Sequence, residues 1–242
     1  MAVDDSPRTH QHAMHPDQGM KRLECPDTPR ENWDIGWRWL TGGDPSLTNR
    51  LRDAIRLAAV IATGVVSQRP VRPLGDEGRR PLPGDALVPA RVQWTNGVTI
   101  RARSTDIWPW LVQAGCRRAG AYSYDALDNG GVPSANRIIP ELQHIEVGDI
   151  LPWTPTADDG FIVRALEPER ALVLGEDTGS MSWVFVLEPI DETSTRLVTR
   201  VRAWYKTLAG RLMLGLVFHP IHFGMQRRQL LNLKRRVEAA TR

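Results

Sequence analysis

A chain of 242 residues, 41% hydrophobic and 24% charged, can bury one sizeable core with an extended segment beside it. Its 31 basic and 28 acidic residues leave a net charge of only +3, which argues against a nucleic-acid partner recognised through bulk charge. The two cysteines, Cys25 and Cys116, form no disulfide framework, so a reduced, cytoplasmic setting is expected.

Residues 1–30 are polar and rich in proline and charge, and are expected to be a disordered leader with no secretory signal. The spacing His10-x-His12-x-x-His15 has no Cys or carboxylate partner and no scaffold, so it reads as a flexible tail and no metal is expected. Residues 31–67 are expected to form an N-terminal helical extension. Trp33 and Trp37 are four apart, and Ser46 is placed to cap a helix running to about Ser67. Its apolar positions are Leu47, Leu51, Ile55, Ala58, Ala59, Ala62 and Val66, a stripe that needs something to pack on. The apolar run Ala58–Val66 would reach about 14 Å as a helix, about half of a bilayer core, so it is not a membrane span. Residues 68–84 hold four prolines and three glycines among charges and read as a linker.

From Asp85 the texture changes. Residues 91–102 alternate at period two and predict a strand with a bend at Asn96-Gly97. Ser104 is placed to cap a short helix, 105–114, with Pro109 in its early turns, and a second short helix is expected around 124–129. Five strands follow, at 149–153, 161–166, 171–174, 182–188 and 196–205, separated by turn-forming clusters that suggest an antiparallel meander. The last region, 207–240, is helical. Leu208, Leu212, Leu216, His219, Phe223, Leu230, Leu233 and Val237 share a stripe about 100° wide, and Pro220 should kink or divide the helix. The basic cluster Arg227, Arg228, Lys234, Arg235, Arg236 and Arg242 reads first as a solvated face and second as a peripheral contact with an anionic membrane.

The segments Ile107-Trp108-Pro109-Trp110-Leu111-Val112-Gln113, Tyr122-Ser123-Tyr124-Asp125 and Asn136-Arg137-Ile138-Ile139-Pro140-Glu141-Leu142-Gln143 carry a resemblance to a known family. It continues through Val147-Gly148-Asp149, Ser182–Pro189, Thr195-Arg196-Leu197 and His222-Phe223-x-Met225-x-x-Arg228. Over residues 84–236 the chain resembles the SRPBCC superfamily of START-like and polyketide-cyclase-like proteins, and within it a bacterial subgroup. The resemblance implies an α+β helix-grip (START-like) fold over residues 85–242, with a curved antiparallel sheet wrapped around a long C-terminal helix. It also implies a cavity for a small apolar ligand, such as a lipid or a polyketide-like molecule, and it carries no catalytic motif or cofactor.

On the strand 182–188, Trp183, Phe185 and Leu187 share one face, and on the last strand Leu197, Thr199, Val201 and Ala203 oppose a face bearing Arg200 and Arg202. The arginine face should meet water, so the first sets should face the terminal helix. Candidate ligand-binding residues are Trp110, Tyr122, Tyr124, Asp125, Trp183, Phe185, Leu212, Leu216, His219 and Phe223. Asp125 with a tyrosine hydroxyl would orient a polar group or move a proton, but it also suits a helix cap. His219 is read first as a hydrogen-bonded core histidine, and His222 lies off the stripe. No Ser/His/Asp arrangement, zinc spacing or phosphate-binding glycine loop is visible, and Gly115, Gly120, Gly130 and Gly131 miss the dinucleotide fingerprint. Binding or carriage of a small apolar molecule is therefore the leading expectation. The alternatives are a cyclase- or dehydratase-type enzyme using Tyr124, Asp125 or His219, and a regulatory protein with a protein or membrane contact through its N-terminal helix.

Overall fold

The computed structural model describes residues 47–62, 69–89, 92–153, 160–204, 207–213, 216 and 218–242. The leader, the tryptophans of 31–40 and the Ser46 cap lie outside the described residues. Helix α1 spans Leu47–Ala62. It lies beside the last helix and the short helix at 125–128. Its Leu47, Leu51 and Ile55, however, point outward and are exposed.

Among the described residues, six strands form one antiparallel sheet: β1 Val92–Ile100, β2 Ile150–Leu151, β3 Phe161–Glu167, β4 Ala171–Gly175, β5 Met181–Asp191 and β6 Ser194–Ala203. Their order is β1-β6-β5-β4-β3-β2, a meander from β2 to β6 with β1 added alongside β6. Two short helices, α2 Ser104–Val112 and α3 Asp125–Asp128, fall between β1 and β2. Helix α4 Leu208–Met213 and the long α5 His219–Ala240 follow β6. This is the helix-grip arrangement: the sheet curves around α5. The inward set Trp183, Phe185, Leu187, Leu197 and Val201 joins Leu230, Leu233 and Val237 of α5 in one core, as strand alternation requires. Among the described residues no helix is long and apolar enough to cross a membrane.

Four local expectations are corrected. Strand β1 is not bent at Asn96-Gly97, because it pairs with β6 without interruption from Val92 to Ile100. Gly97 instead makes room, since a Cβ there would lie 2.7 Å from the Arg196 guanidinium. The cap of α2 is Arg103, whose backbone N–H reaches the Asp106 carboxylate at 3.4 Å, and Ser104 is the first helical residue. Pro220 stands in the first turn of α5, and α4 and α5 are separate α-helices, with Leu216 and Phe218 between them π-helical. A π-helical step shifts the side-chain phase from that of one continuous α-helix. Leu230, Leu233 and Val237 stay buried, whereas Leu208, Leu212 and Leu216 do not face the sheet, and Leu216 is 73% exposed.

The fourth correction concerns the arginine face of β6. Segment 69–89, which takes in most of the 68–84 stretch expected as a linker, is a strap held across it. Val71 sits in the inner core and Leu82 in a second, outer cluster with Val173, Val184, Val186 and Val198, so the strap passes around the β1 edge of the sheet. Arg196 pairs with Glu77 at 2.8 Å, and Arg200 pairs with Asp85 at 2.6 Å while also donating to the Arg80 and Glu77 carbonyls. These arginines meet the strap and not water. Gly84, with φ 80°, lets the strap lie flat, since a Cβ there would come within 2.4 Å of Val173.

Candidate functional site

The sheet's curvature leaves an opening at one end, where β2 stops, β3 and β5 begin and the N-terminal half of α5 crosses. A cavity of about 340 Å³ occupies it, at the lower end of the range for small-molecule sites. Trp153 follows β2, Phe161 opens β3, and Met181 and Trp183 open β5. Ser123 and Asp128 come from the loop and short helix after α2, and Phe218, His222, Gln226 and Gln229 come from α5 and its approach.

The aromatic wall is a packed group. Trp183 lies 4.6 Å from Trp153 and 5.9 Å from Phe161, and the Trp183 and Phe161 planes meet at 72°. The indole N–H of Trp183 donates to Thr199 Oγ1 at 2.7 Å, and the Gln226 amide also reaches that hydroxyl at 3.3 Å. Asn96 in turn donates to Gln226 Oε1 at 2.5 Å, so a buried polar chain pins α5 to β1, β6 and β5 beside the cavity. His222 stacks on Phe218 at 5.4 Å and meets Trp183 edge-on at 5.5 Å.

Four of the residues lining this one cavity each hold a buried polar atom with no hydrogen-bond partner: Asp128 Oδ1, Trp153 Nε1, His222 Nε2 and Gln229 Oε1. Such atoms are costly unless something satisfies them. Burial above all, with the neighbouring Asp125 charge, pushes the Asp128 carboxyl up to about 7, against hydrogen bonds from Ser123 and the Tyr124 backbone. Burial, with His219 nearby, pushes His222 down to about 4. At neutral pH the imidazole is therefore uncharged and the carboxyl is poised between its two forms. Among the described residues no group of three or more His, Cys, Asp or Glu side chains could hold a metal.

Of the candidates from sequence, Trp183 lines the cavity and Phe185 packs behind it at 5.0 Å. Trp110 and Tyr122 belong to the core. The Tyr122 hydroxyl accepts from Gln113 at 2.9 Å and donates to the Trp110 carbonyl at 3.2 Å, and burial pushes its pKa well up. Tyr124 lies under the Arg228 guanidinium at 4.3 Å. Asp125 accepts from the Ser134 hydroxyl, and the residue one turn further, Asp128, is the one on the cavity. His219 stacks on Trp94 at 4.8 Å, and burial lowers its pKa. Phe223 is half-buried against the core, and Leu212 and Leu216 lie on the surface. The cavity residues absent from that set are chiefly Asp128, Trp153, His222, Gln226 and Gln229. With α5 restarting at His219, the positions His222, Gln226, Gln229, Leu233 and Val237 form its inner stripe.

No family model matches the chain, and neither does any curated protein. Among solved structures, the chain is similar to a polyketide-cyclase-like protein of Corynebacterium glutamicum, with 15% identity and a TM-score of 0.35, over 64% of this chain and 96% of that one. It is also similar to the KanY protein, with 15% identity and a TM-score of 0.37, over 61% of this chain and 97% of that one. No residue role is carried over from either. The helix-grip assignment rests on the strand order and on the placement of α5 described above.

Proposed function

We propose that the chain binds a small, largely apolar molecule in the cavity between the sheet and the N-terminal half of α5. One observation carries this reading: an aromatic-walled space of about 340 Å³ is lined by four residues that each hold a buried polar atom without a partner. A well-packed core without a ligand would not concentrate such atoms in one place. Apolar walls supply the driving force, and the polar atoms fix orientation. A second reading, proton-transfer chemistry on the bound molecule, draws on Asp128 and His222, whose surroundings move their pKa values in opposite senses.

The test is displacement of an environment-sensitive fluorescent probe by aromatic and aliphatic ligands, with Met225→Trp as the blocking variant. Met225 lines the cavity from a half-buried position on α5, so a larger ring can enter the space without rebuilding the core. Probe binding should fall at least about tenfold in a folded Met225→Trp protein. Undiminished binding there would place the ligand elsewhere.

A further inference from the structure

We infer that the cavity selects an organic ammonium, a protonated amine on a compact aromatic body, which donates to Asp128 Oδ1 and Gln229 Oε1. This rests on the reading of the cavity as a ligand site and names the ligand's chemistry.

The polar balance of the walls carries the inference. Asp128 and Gln229 both line the space, are 6% and 4% exposed, and each holds a buried acceptor oxygen without a partner, which a ligand donor would reach by a small turn of the side chain. An ammonium brings several N–H donors, enough for both oxygens, whereas an alcohol brings a single donor; the Trp153 indole N–H, itself a donor, takes no part in this contact. The charged and titratable groups lining the cavity among the described residues are Asp128, Glu176 and His222, with no lysine or arginine. Glu176 already accepts from the Ser180 and Thr178 hydroxyls, which hold its carboxyl in the wall. A carboxylate ligand would meet two acids and no cation. The faces of Trp153, Phe161, Trp183 and Phe218 suit an apolar body and favour a cation beside them.

The same balance predicts a pH profile. Asp128 resists ionisation because it is buried and close to Asp125 on its own helix. Across the cavity stand Glu176 and His222, and from α5 the Arg228 guanidinium is held by the Ser123 carbonyl and the Tyr124 ring. Helix α1, packed against α3, carries Arg52 and Arg56 with exposed side chains. A bound ammonium supplies the counter-charge that burial removes, so amine binding expels the Asp128 proton. Affinity for an amine should rise between about pH 6 and pH 8, around the Asp128 value of about 7. His222, near 4, stays neutral across that window.

Calorimetric titration of the full chain with naphthylethylamine, naphthylethanol and naphthylacetate tests this. At about pH 8 the amine should bind at least about tenfold tighter than the alcohol, as a charge-assisted hydrogen bond requires, and naphthylacetate should bind weakest. Asp128→Asn should keep the alcohol, lose the amine's advantage and flatten the pH profile. Gln229→Leu, should the first variant misfold, should weaken the amine more than the alcohol. Amine and alcohol binding equally, or Asp128→Asn retaining the amine's advantage, would overturn the ammonium assignment and leave the cavity reading standing. Failure of all three probes to bind a folded wild-type chain would overturn both.

Discussion

The Arg200 guanidinium lies 2.6 Å from the Asp85 carboxylate on the outer face of the sheet, and the Arg200 side chain is only 1% exposed. The pair ties the strap to the last strand, and Thr95 Oγ1 with the Arg80 and Glu77 carbonyls takes up three more of the five N–H donors. Burial lowers the Arg200 pKa while Asp85 opposes that shift. Removing the carboxylate leaves a buried cation with only neutral acceptors. Asp85→Ala should therefore cost about 3 kcal/mol, measured by urea unfolding, the low end of the range because those carbonyls remain. A cost under about 1 kcal/mol would show that the strap is held by its apolar contacts instead.

Glu77 sets an acid limit. Burial pushes its carboxyl up, but the Arg196 hydrogen bond and the Leu74 backbone N–H outweigh that and hold it below its ordinary value. A lowered carboxyl stabilises the fold above its unfolded pKa of about 4.3, and that contribution is lost as pH falls through the lower folded value. Glu77→Gln should lower stability at neutral pH and flatten the loss of stability below about pH 4.5, as melting curves across pH would record.

Asp128 acts in the opposite sense. Its folded value of about 7 lies above the ordinary carboxyl value. Between the two the folded state binds more protons, so stability falls as pH rises, and the full cost is present above about pH 7. Asp128→Asn should therefore melt higher than wild type at about pH 8, with the difference shrinking towards about pH 5. A pH-independent difference would contradict this assignment.

His222, pushed down to about 4, gives a separate signature. Its neutral form belongs to the fold, so its contribution is fully present above the unfolded value of about 6.5 and lost as pH falls towards the folded value. The imidazole signals of His222 should stay unshifted in NMR spectra from about pH 8 to pH 5.5. A midpoint near 6.5 would place the ring in water.

Phe185 and Leu216, both candidates from sequence, should behave very differently. Phe185 is buried between Trp183 and the core, so Phe185→Ala should cost about 3–5 kcal/mol in guanidinium unfolding. Leu216 is exposed, and Leu216→Trp should change stability by no more than about 0.5 kcal/mol.

The strand meander and the inward parity of Trp183 and Phe185 were legible because alternation over a half-buried sheet leaves a period-two record in the residues themselves. The strap left no such record. Part of its grip runs from arginine side chains to backbone carbonyls, as in Arg200 to Glu77 and Arg80, and a carbonyl has no residue identity. Prolines, glycines and charges look alike in a linker and in a segment clamped to a sheet. The cavity was obscured by phase. Treating 207–240 as one helix put Leu212 and Leu216 inside and His222 off the stripe, whereas a restart at His219 turns His222, Gln226 and Gln229 inward. Two glutamines on an inner face also carry no hydrophobic signal, so periodicity analysis passes over the polar half of the site.

The strap also sets an order of events when the chain is made. Glu77 emerges from the ribosome 119 residues ahead of Arg196, which pairs with its carboxylate, and 123 ahead of Arg200, which holds its carbonyl, a delay of roughly 6–25 s at typical synthesis rates. Through that interval its acids and prolines keep it solvated and without a partner, while Val173, Val184, Val186 and Val198 emerge one strand at a time. Closure over those valines is then one of the last long-range steps. The nascent sheet is most adhesive just before it, and slowing translation beyond β6 would give the strap time to reach its seat before a neighbouring chain does.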